Sequence, residues 1–314
     1  EISACLVGSE MCIRDRYKIV IVGAGGTGGT LASMLARYLY SKKTDEIRQF
    51  KLYLIDGDLV DEKNINRQPF SSDDVGYFKV DCLSEAYTEV YGISVFPFPT
   101  YIDKVKEFEN IVGSDWFGTS RFYDVKQHII LIGAVDNHRA RQTMHKYFDS
   151  VSLDINTDII YIDSANEFDF GTVVAGYRNF SGVQCPDRTF YFPDVLKSRA
   201  KKASQLSCGA INISAPQHYV TNQLAATITF SQICSFIENG KYKDGVTYFH
   251  SFNLSVSNRP LEDFLADTYR KYNVNSYPDL LVAMKNAMKN GGNNDGKAAK
   301  NKGKTGKRAD KKNG

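Results

Sequence analysis

Residues 17–29 read YKIVIVGAGGTGG, and the organisation of the chain follows by working outward from them. Ile19 to Val22 is β-branched throughout, the composition of a short strand buried inside a parallel sheet. Gly23, Gly25 and Gly28 then fall on a G-x-G-x-x-G spacing, with Gly26 between them. A helical pattern follows, with Leu31, Leu35 and Leu39 on one face. Strand, glycine turn and helix together give the spacing its meaning: the backbone can approach a phosphate, and the first N–H groups of the helix face that charge. A glycine-rich turn without a ligand is the competing reading.

The composition is that of an ordinary globular chain: 314 residues, 42% hydrophobic and 24% charged. No apolar run approaches the roughly 18 residues of a membrane helix, and the six cysteines show no disulfide spacing, so a reducing, cytoplasmic setting is expected. The net charge of +3 is unevenly spread. Residues 291–314 carry eight Lys and Arg against Asp295 and Asp310, a charge of +6 that leaves the remainder near −3. The body is therefore not a basic nucleic-acid platform. The tail has no large apolar residue and reads as disordered; it suits contact with RNA, DNA or an acidic partner, and equally a solubilising role. At the other end, residues 1–16 (EISACLVGSEMCIRDR) resemble translated sequencing-adapter read-through and are expected to be a non-native leader.

Between these ends, strand and helix patterns alternate. Strands are expected at Lys51–Ile55, Ile93–Phe98, His128–Ile132, Ile159–Ile162 and Thr172–Tyr177. Helices are expected over Val75–Tyr91, Asn137–Asp149 and Gln217–Glu238, the last with Val220, Leu224, Ile228 and Cys234 near one face. Tyr101–Val125 is partly helical, Ser181–Ser207 has no period and reads as a loop, Val246–Val256 alternates like strands, and Leu261–Lys289 is helical in two pieces split near Asn273 and Pro278. This order implies a mainly parallel α/β sheet with right-handed crossovers and helices on both faces.

Chemistry-bearing residues follow the glycine loop in order. Asp56 ends the second strand in IDGD, where a carboxylate commonly accepts from a ribose hydroxyl. NINRQPF (Asn64 to Phe70) supplies Arg67, and VGYFK supplies Lys79; triphosphates, unlike dinucleotides, call for such directed cations. Asp136, with Asn137 and Arg141 in AVDNHRAR, lies past the fourth strand, where ligands of open sheets bind and where a carboxylate can hold Mg²⁺ beside phosphates. His218 and His250 have no partner at metal spacing and read as structural, and Phe96, Phe98 and Tyr101 read as core rather than as a partner groove.

Taken together, G-A-G-G-T-G (Gly23 to Gly28), I-D-G-D (Ile55 to Asp58), N-I-N-R-Q (Asn64 to Gln68), V-G-x-x-K (Val75 to Lys79) and D-N-x-x-x-R (Asp136 to Arg141) resemble the ThiF/MoeB/HesA family, related to the ubiquitin-activating E1 enzymes. The resemblance covers about Tyr17 to Tyr177 and implies a Rossmann-like, E1-like adenylation domain over residues 17–290. It implies that Gly23, Gly25, Gly26, Gly28, Asp56, Asn64, Arg67, Gln68, Lys79, Asp136 and Asn137 bind ATP, with Asp56 on the ribose, Arg67 and Lys79 on the phosphates and Asp136 on Mg²⁺. The implied reaction is adenylation of the C-terminal Gly-Gly carboxylate of a ubiquitin-like or sulfur-carrier protein, by a homodimer. Ser207 to Phe230 is similar to the ThiF-like protein of the ParB-related, ThiF-related (PRTRC) cassette of bacterial mobile elements.

Departures accompany the match. Many relatives carry two C-x-x-C pairs for zinc, whereas Cys185 and Cys208 stand alone, so no zinc site is expected. Cys208 lies where some relatives form a thioester, and it also reads as a small packed cysteine. The arginine that relatives supply from a neighbouring subunit's N-terminal helix is not assigned to Arg14 or Arg16. A non-catalytic ATP-binding partner platform and an NAD-dependent oxidoreductase remain the alternatives; the second leaves Arg67 and Lys79 idle.

Overall fold

β1 (Arg16–Val22) lies near the middle of a nine-stranded sheet in the computed structural model, which describes residues 15–42, 50–113, 126–199, 217–276, 279–280, 282–284 and 286. Residues 1–14, Cys208 and the basic tail lie outside the described residues, and so does the split at Pro278. Two units are separable, residues 1–260 and 261–314. The first contains the whole sheet. Of the second, α8 (Leu261–Tyr272) is the regular helix described, and it stops at Asn273, whose φ of 53° suits a helix end.

Five strands run parallel in the order β3-β2-β1-β4-β5: β3 is Val95–Phe98, β2 Phe50–Ile55, β4 Gln127–Gly133 and β5 Thr157–Asn166. Alternation along each strand sorts the core into two layers. Ile19, Ile21, Leu54, Ile132 and Ile162 face α1 (Gly26–Ser41), α2 (Lys79–Tyr91) and α7 (Tyr219–Asn239). Val20, Val22, Ile55, Leu131 and Tyr161 face α3 (Val105–Gly113) and α4 (His138–Ser150). Leu31, Leu35 and Leu39 are buried as their spacing predicts. Phe96 and Phe98 stack on the buried Tyr53, as core residues. β1 begins at Arg16, inside the stretch set aside as a leader, and its N–H donates to Lys126 O (2.9 Å).

The sheet continues as an antiparallel extension. β6 (Phe170–Asn179) pairs antiparallel with β5, because the three residues between them cannot carry a parallel crossover. β7 (Gly182–Cys185) and β8 (Val246–His250) pair with β6, and β9 (Ser255–Arg259) with β8. Within the stretch expected to be loop, β7 is followed by the one-turn helices α5 (Arg188–Tyr191) and α6 (Asp194–Lys197), too short to show a period.

α7 buries a different face from the one expected. Val220 is exposed and Leu224 and Ile228 are half-buried, while Thr221, Ala225, Ala226, Thr229 and Ile233 are fully buried. Small side chains let α7 lie close to α1: a Cβ added at Gly26 would meet Asn222 Nδ2 at 2.3 Å. Cys82 and Cys234 are half-buried, Cys185 is buried, and burial pushes the Cys185 thiol up to about 12. His218 caps α7, and His250 pairs with Asp169, so both histidines have structural partners.

Candidate functional site

The parallel strands end at one rim, and there β1 turns into α1 through Gly23 to Gly25. Gly23 has a φ of 97°, and a Cβ on it would meet Ala134 O at 2.4 Å, so glycine lets the ends of β1 and β4 close up. The N-cap of α1 is Gly25, with no capping side chain and no acidic residue in the first turn. The first N–H groups of a helix have no intrahelical acceptor, and here they open on a pocket.

That pocket gathers residues from distant parts of the chain. Gly23, Gly25, Gly26, Asp56, Arg67, Gln68, Lys79, Asp136 and Asn137, all expected at a nucleotide site, line it together. Gly28 and Asn64 do not. A Cβ on Gly28 would lie 1.8 Å from Gly23 O, so this glycine closes the turn instead of touching a ligand. Asn64 is buried within the 3₁₀ turn Glu62–Asn64: its Oδ1 accepts the Asp61 N–H (3.0 Å), and its carbonyl accepts the N–H groups of Arg67 (3.1 Å) and Gln68 (2.9 Å). Asn64 thus shapes the turn that presents those two residues.

Asp56 sits at the end of β2. Its Oδ2 accepts the Ala24 N–H (2.6 Å) and its Oδ1 the Asp58 N–H (2.8 Å), tying the glycine loop to the second strand. Burial pushes its carboxyl above the ordinary value, opposed by the ammonium of Lys79. Lys79, the first residue of α2, is buried with its Nζ 2.9 Å from Asp58 Oδ2. Arg67 has no side-chain partner among the described residues, and Gln68 Oε1 is buried with none. A bare helix N-terminus and a guanidinium with no partner among the described residues fit an anionic ligand such as a nucleotide phosphate, while the orphaned Gln68 amide oxygen, an acceptor, suits a hydroxyl or N–H donor of that ligand.

On the opposite wall, Asn137 accepts the Arg139 N–H (2.6 Å) as cap of α4, which places Asp136 exposed at the pocket edge. Arg141, which closes the D-N-x-x-x-R motif, is buried beneath: it donates to Asp163 Oδ1 (3.1 Å), Val135 O (2.5 Å) and Ser164 O (3.2 Å), anchoring the loop that carries Asp136. No three His, Cys, Asp or Glu among the described residues could hold a metal. A Mg²⁺ ion at Asp136 would therefore complete its shell with phosphates and water, as this ion commonly does.

Among the lining residues not singled out in the sequence as site residues are Asp58, Tyr101, Asn166 and Gln217. Asp58 carried a signal, since it repeats Asp56 two residues later in IDGD. Tyr101, expected in the core, instead lies over Gly57 at the pocket with its hydroxyl donating to Asp58. Asn166 and Gln217 arrive from the ends of β5 and α7, which no local motif could announce.

A glycine-led β–α turn on the central strand, with charged residues past the ends of parallel strands, defines a Rossmann-like nucleotide fold. The chain belongs to the ThiF family, whose model matches residues 12–267. It is 32% identical over 135 residues to ubiquitin-like modifier-activating enzyme 5 of Oryza sativa subsp. japonica, a match covering 43% of this chain and 30% of that enzyme, so the chain spans about a third of this relative. Its fold is similar to that of PaaA (TM-score 0.53, 20% identity, 80% of this chain and 75% of PaaA). Escherichia coli MccB, solved with ATP, is also similar (TM-score 0.51, 19% identity, 80% of this chain and 65% of MccB). No helix among the described residues is long and apolar enough to cross a membrane.

Proposed function

We propose that the protein is an ATP-dependent adenylyltransferase that activates the C-terminal carboxylate of a small protein or peptide. The observation that carries this reading is the convergence of Arg67, Lys79 and Asp136, from three separate segments, on one glycine-lined helix N-terminus. The name of the rice relative and the ATP-bound MccB support it.

In this reading Asp56 accepts from the ribose, and Arg67, Gln68 and the first turn of α1 hold the phosphates. The acceptor carboxylate is already ionised at neutral pH and needs no general base. Its oxygen attacks the α-phosphorus as the bond to pyrophosphate breaks, giving an acyl-adenylate; Arg67 and Lys79 align the phosphates and neutralise developing charge. Mg²⁺ held by Asp136 would add to that neutralisation. The acceptor is a ubiquitin-like or sulfur-carrier protein with a flexible Gly-Gly tail, the enzyme a cytoplasmic homodimer, and its setting the PRTRC cassette.

The test is ATP–pyrophosphate exchange with candidate Gly-Gly-tailed acceptors. Exchange should require the acceptor and fall at least about a hundredfold in Asp136→Ala and Arg67→Ala. ATP binding without exchange would favour the partner-platform alternative, and binding of NAD but not ATP would overturn the adenylation reading.

A further inference from the structure

We infer that Tyr101 and Asp58 form a brace that sets the position and the available charge of Lys79, making both residues positioning residues for the nucleotide phosphates. This rests on the nucleotide reading of the pocket. The geometry is continuous. Tyr101 lies three residues past β3, and its ring lies against Gly57, where an added Cβ would meet Tyr101 Cε2 at 2.6 Å. Its hydroxyl donates to Asp58 Oδ1, and the other carboxylate oxygen of Asp58 lies 2.9 Å from Lys79 Nζ. The same two segments are also joined along the backbone, the Lys79 N–H donating to Asp58 O (3.0 Å), with Leu59 and Phe78 bridging antiparallel beside them. Asp58 in turn donates its N–H to Asp56, which accepts from Ala24 of the glycine loop. The ends of β3 and β2, the start of α2 and the glycine loop are thereby linked through Asp58.

The charge balance gives the brace its consequence. Lys79 is buried, and its Nζ lies 2.9 Å from Oδ2 of Asp58. An ammonium has three donors and can serve a phosphate beside a carboxylate. How strongly Asp58 competes for it depends on what else the carboxylate binds. While the Tyr101 hydroxyl donates to Oδ1, part of the carboxylate's charge is spent there and less of it falls on the ammonium. Without that hydroxyl, both oxygens turn to Lys79 and draw it from the phosphates. Tyr101 therefore acts on the nucleotide through Lys79, and its effect must vanish when Lys79 is gone.

A double-mutant cycle read by calorimetric titration of ATP tests this, because it needs neither the acceptor nor turnover. Tyr101→Phe keeps the ring on Gly57 and removes only the hydroxyl. It should weaken ATP binding about tenfold with Lys79 present, and less than about twofold in Lys79→Ala. Asp58→Asn should likewise abolish the effect of Tyr101→Phe, since no charge remains to be shared. Equal losses in all backgrounds would overturn the brace and leave the nucleotide reading standing. Failure of the unmodified protein to bind ATP would overturn both.

Discussion

The glycines of the first turn are alike in sequence and separate in their surroundings. Around Gly28 a side chain has no room at all, because its Cβ would sit 1.8 Å from the Gly23 carbonyl oxygen, a backbone atom that cannot move aside. Around Gly25 the nearest atom to an added Cβ is Gln68 Nε2 at 3.8 Å, an ordinary contact, and the φ of −81° is open to alanine. The methyl of Gly25→Ala would then project into the pocket itself. Gly28→Ala should cost more than about 3 kcal/mol of stability or fail to fold. Gly25→Ala should melt within a few degrees of the parent and lose most of its nucleotide affinity. Thermal melts beside ATP titrations check this, and similar melting of both variants would refute the division between a turn-closing and a ligand-facing glycine. Gly26 is intermediate, since its close neighbour, Asn222, is a side chain from α7.

Pairing between elements sets a second, pH-dependent contribution at the opposite ends of the strands. His128 on β4 stacks on Tyr17 of β1 (4.7 Å), with Nδ1 2.7 Å from Asp158 of β5 and Nε2 3.7 Å from Asp15, an ion pair without a hydrogen bond. Burial disfavours its charge, but Asp15 and Asp158 outweigh that and raise its pKa to about 9. A raised folded-state pKa stabilises fully below the unfolded value of about 6.5 and is lost as pH rises through 9, a contribution of about 3 kcal/mol. Urea unfolding of the parent and of His128→Gln should therefore differ most at pH 6 and converge by about pH 10; a difference independent of pH would refute a charged histidine in the fold. None of this was legible in sequence, because Asp15, His128 and Asp158 meet only through strand register. What was legible is what local spacing encodes. The β-branched run of β1, the leucines of α1 and the charged motifs near strand ends predicted the parallel half and much of the polar wall of the pocket. Four-residue elements such as β7 and α5 leave no period to read, and the buried stripe of α7 begins with Thr221, Asn222, Ala225, Ala226 and Thr229, small or polar residues that hydrophobic spacing passes over. Tyr101 was hidden for a related reason: it looked like core, and only β2 and β3 lying side by side brings it to Asp58.

The chain binds its parallel and antiparallel halves by one sheet and by a buried cluster at their seam. Asp163, 1% exposed near the end of β5, receives Arg141 from α4 at 3.1 Å and Arg188 from α5 at 3.0 Å, and its Oδ2 accepts the Tyr161 hydroxyl at 2.8 Å. Arg188 continues outward to the carbonyls of Asp163 and Thr172, both at 3.0 Å, so it spans β5 and β6. Arg141 continues the other way to Val135, beside Asp136. Two guanidiniums share one carboxylate out of reach of water, so the carboxylate is what makes their burial tolerable. Asp163→Asn keeps the shape and removes that charge, and it should cost about 3–5 kcal/mol. The exposed pair Lys197–Asp194, at 3.0 Å, is the control: Asp194→Asn should cost less than about 0.5 kcal/mol. Because the cluster grips both halves, the loss should be global. Amide exchange followed through urea unfolding should show peptides of β1–β5 and of β6–β9 shifting to the same lower midpoint in Asp163→Asn. Release of β6–β9 alone, with β1–β5 unchanged, would mean that the antiparallel extension unfolds on its own and that the arginines staple an accessory layer. Coincident shifts would mean that the loop carrying Asp136 has its stability set by residues as distant in sequence as Arg188.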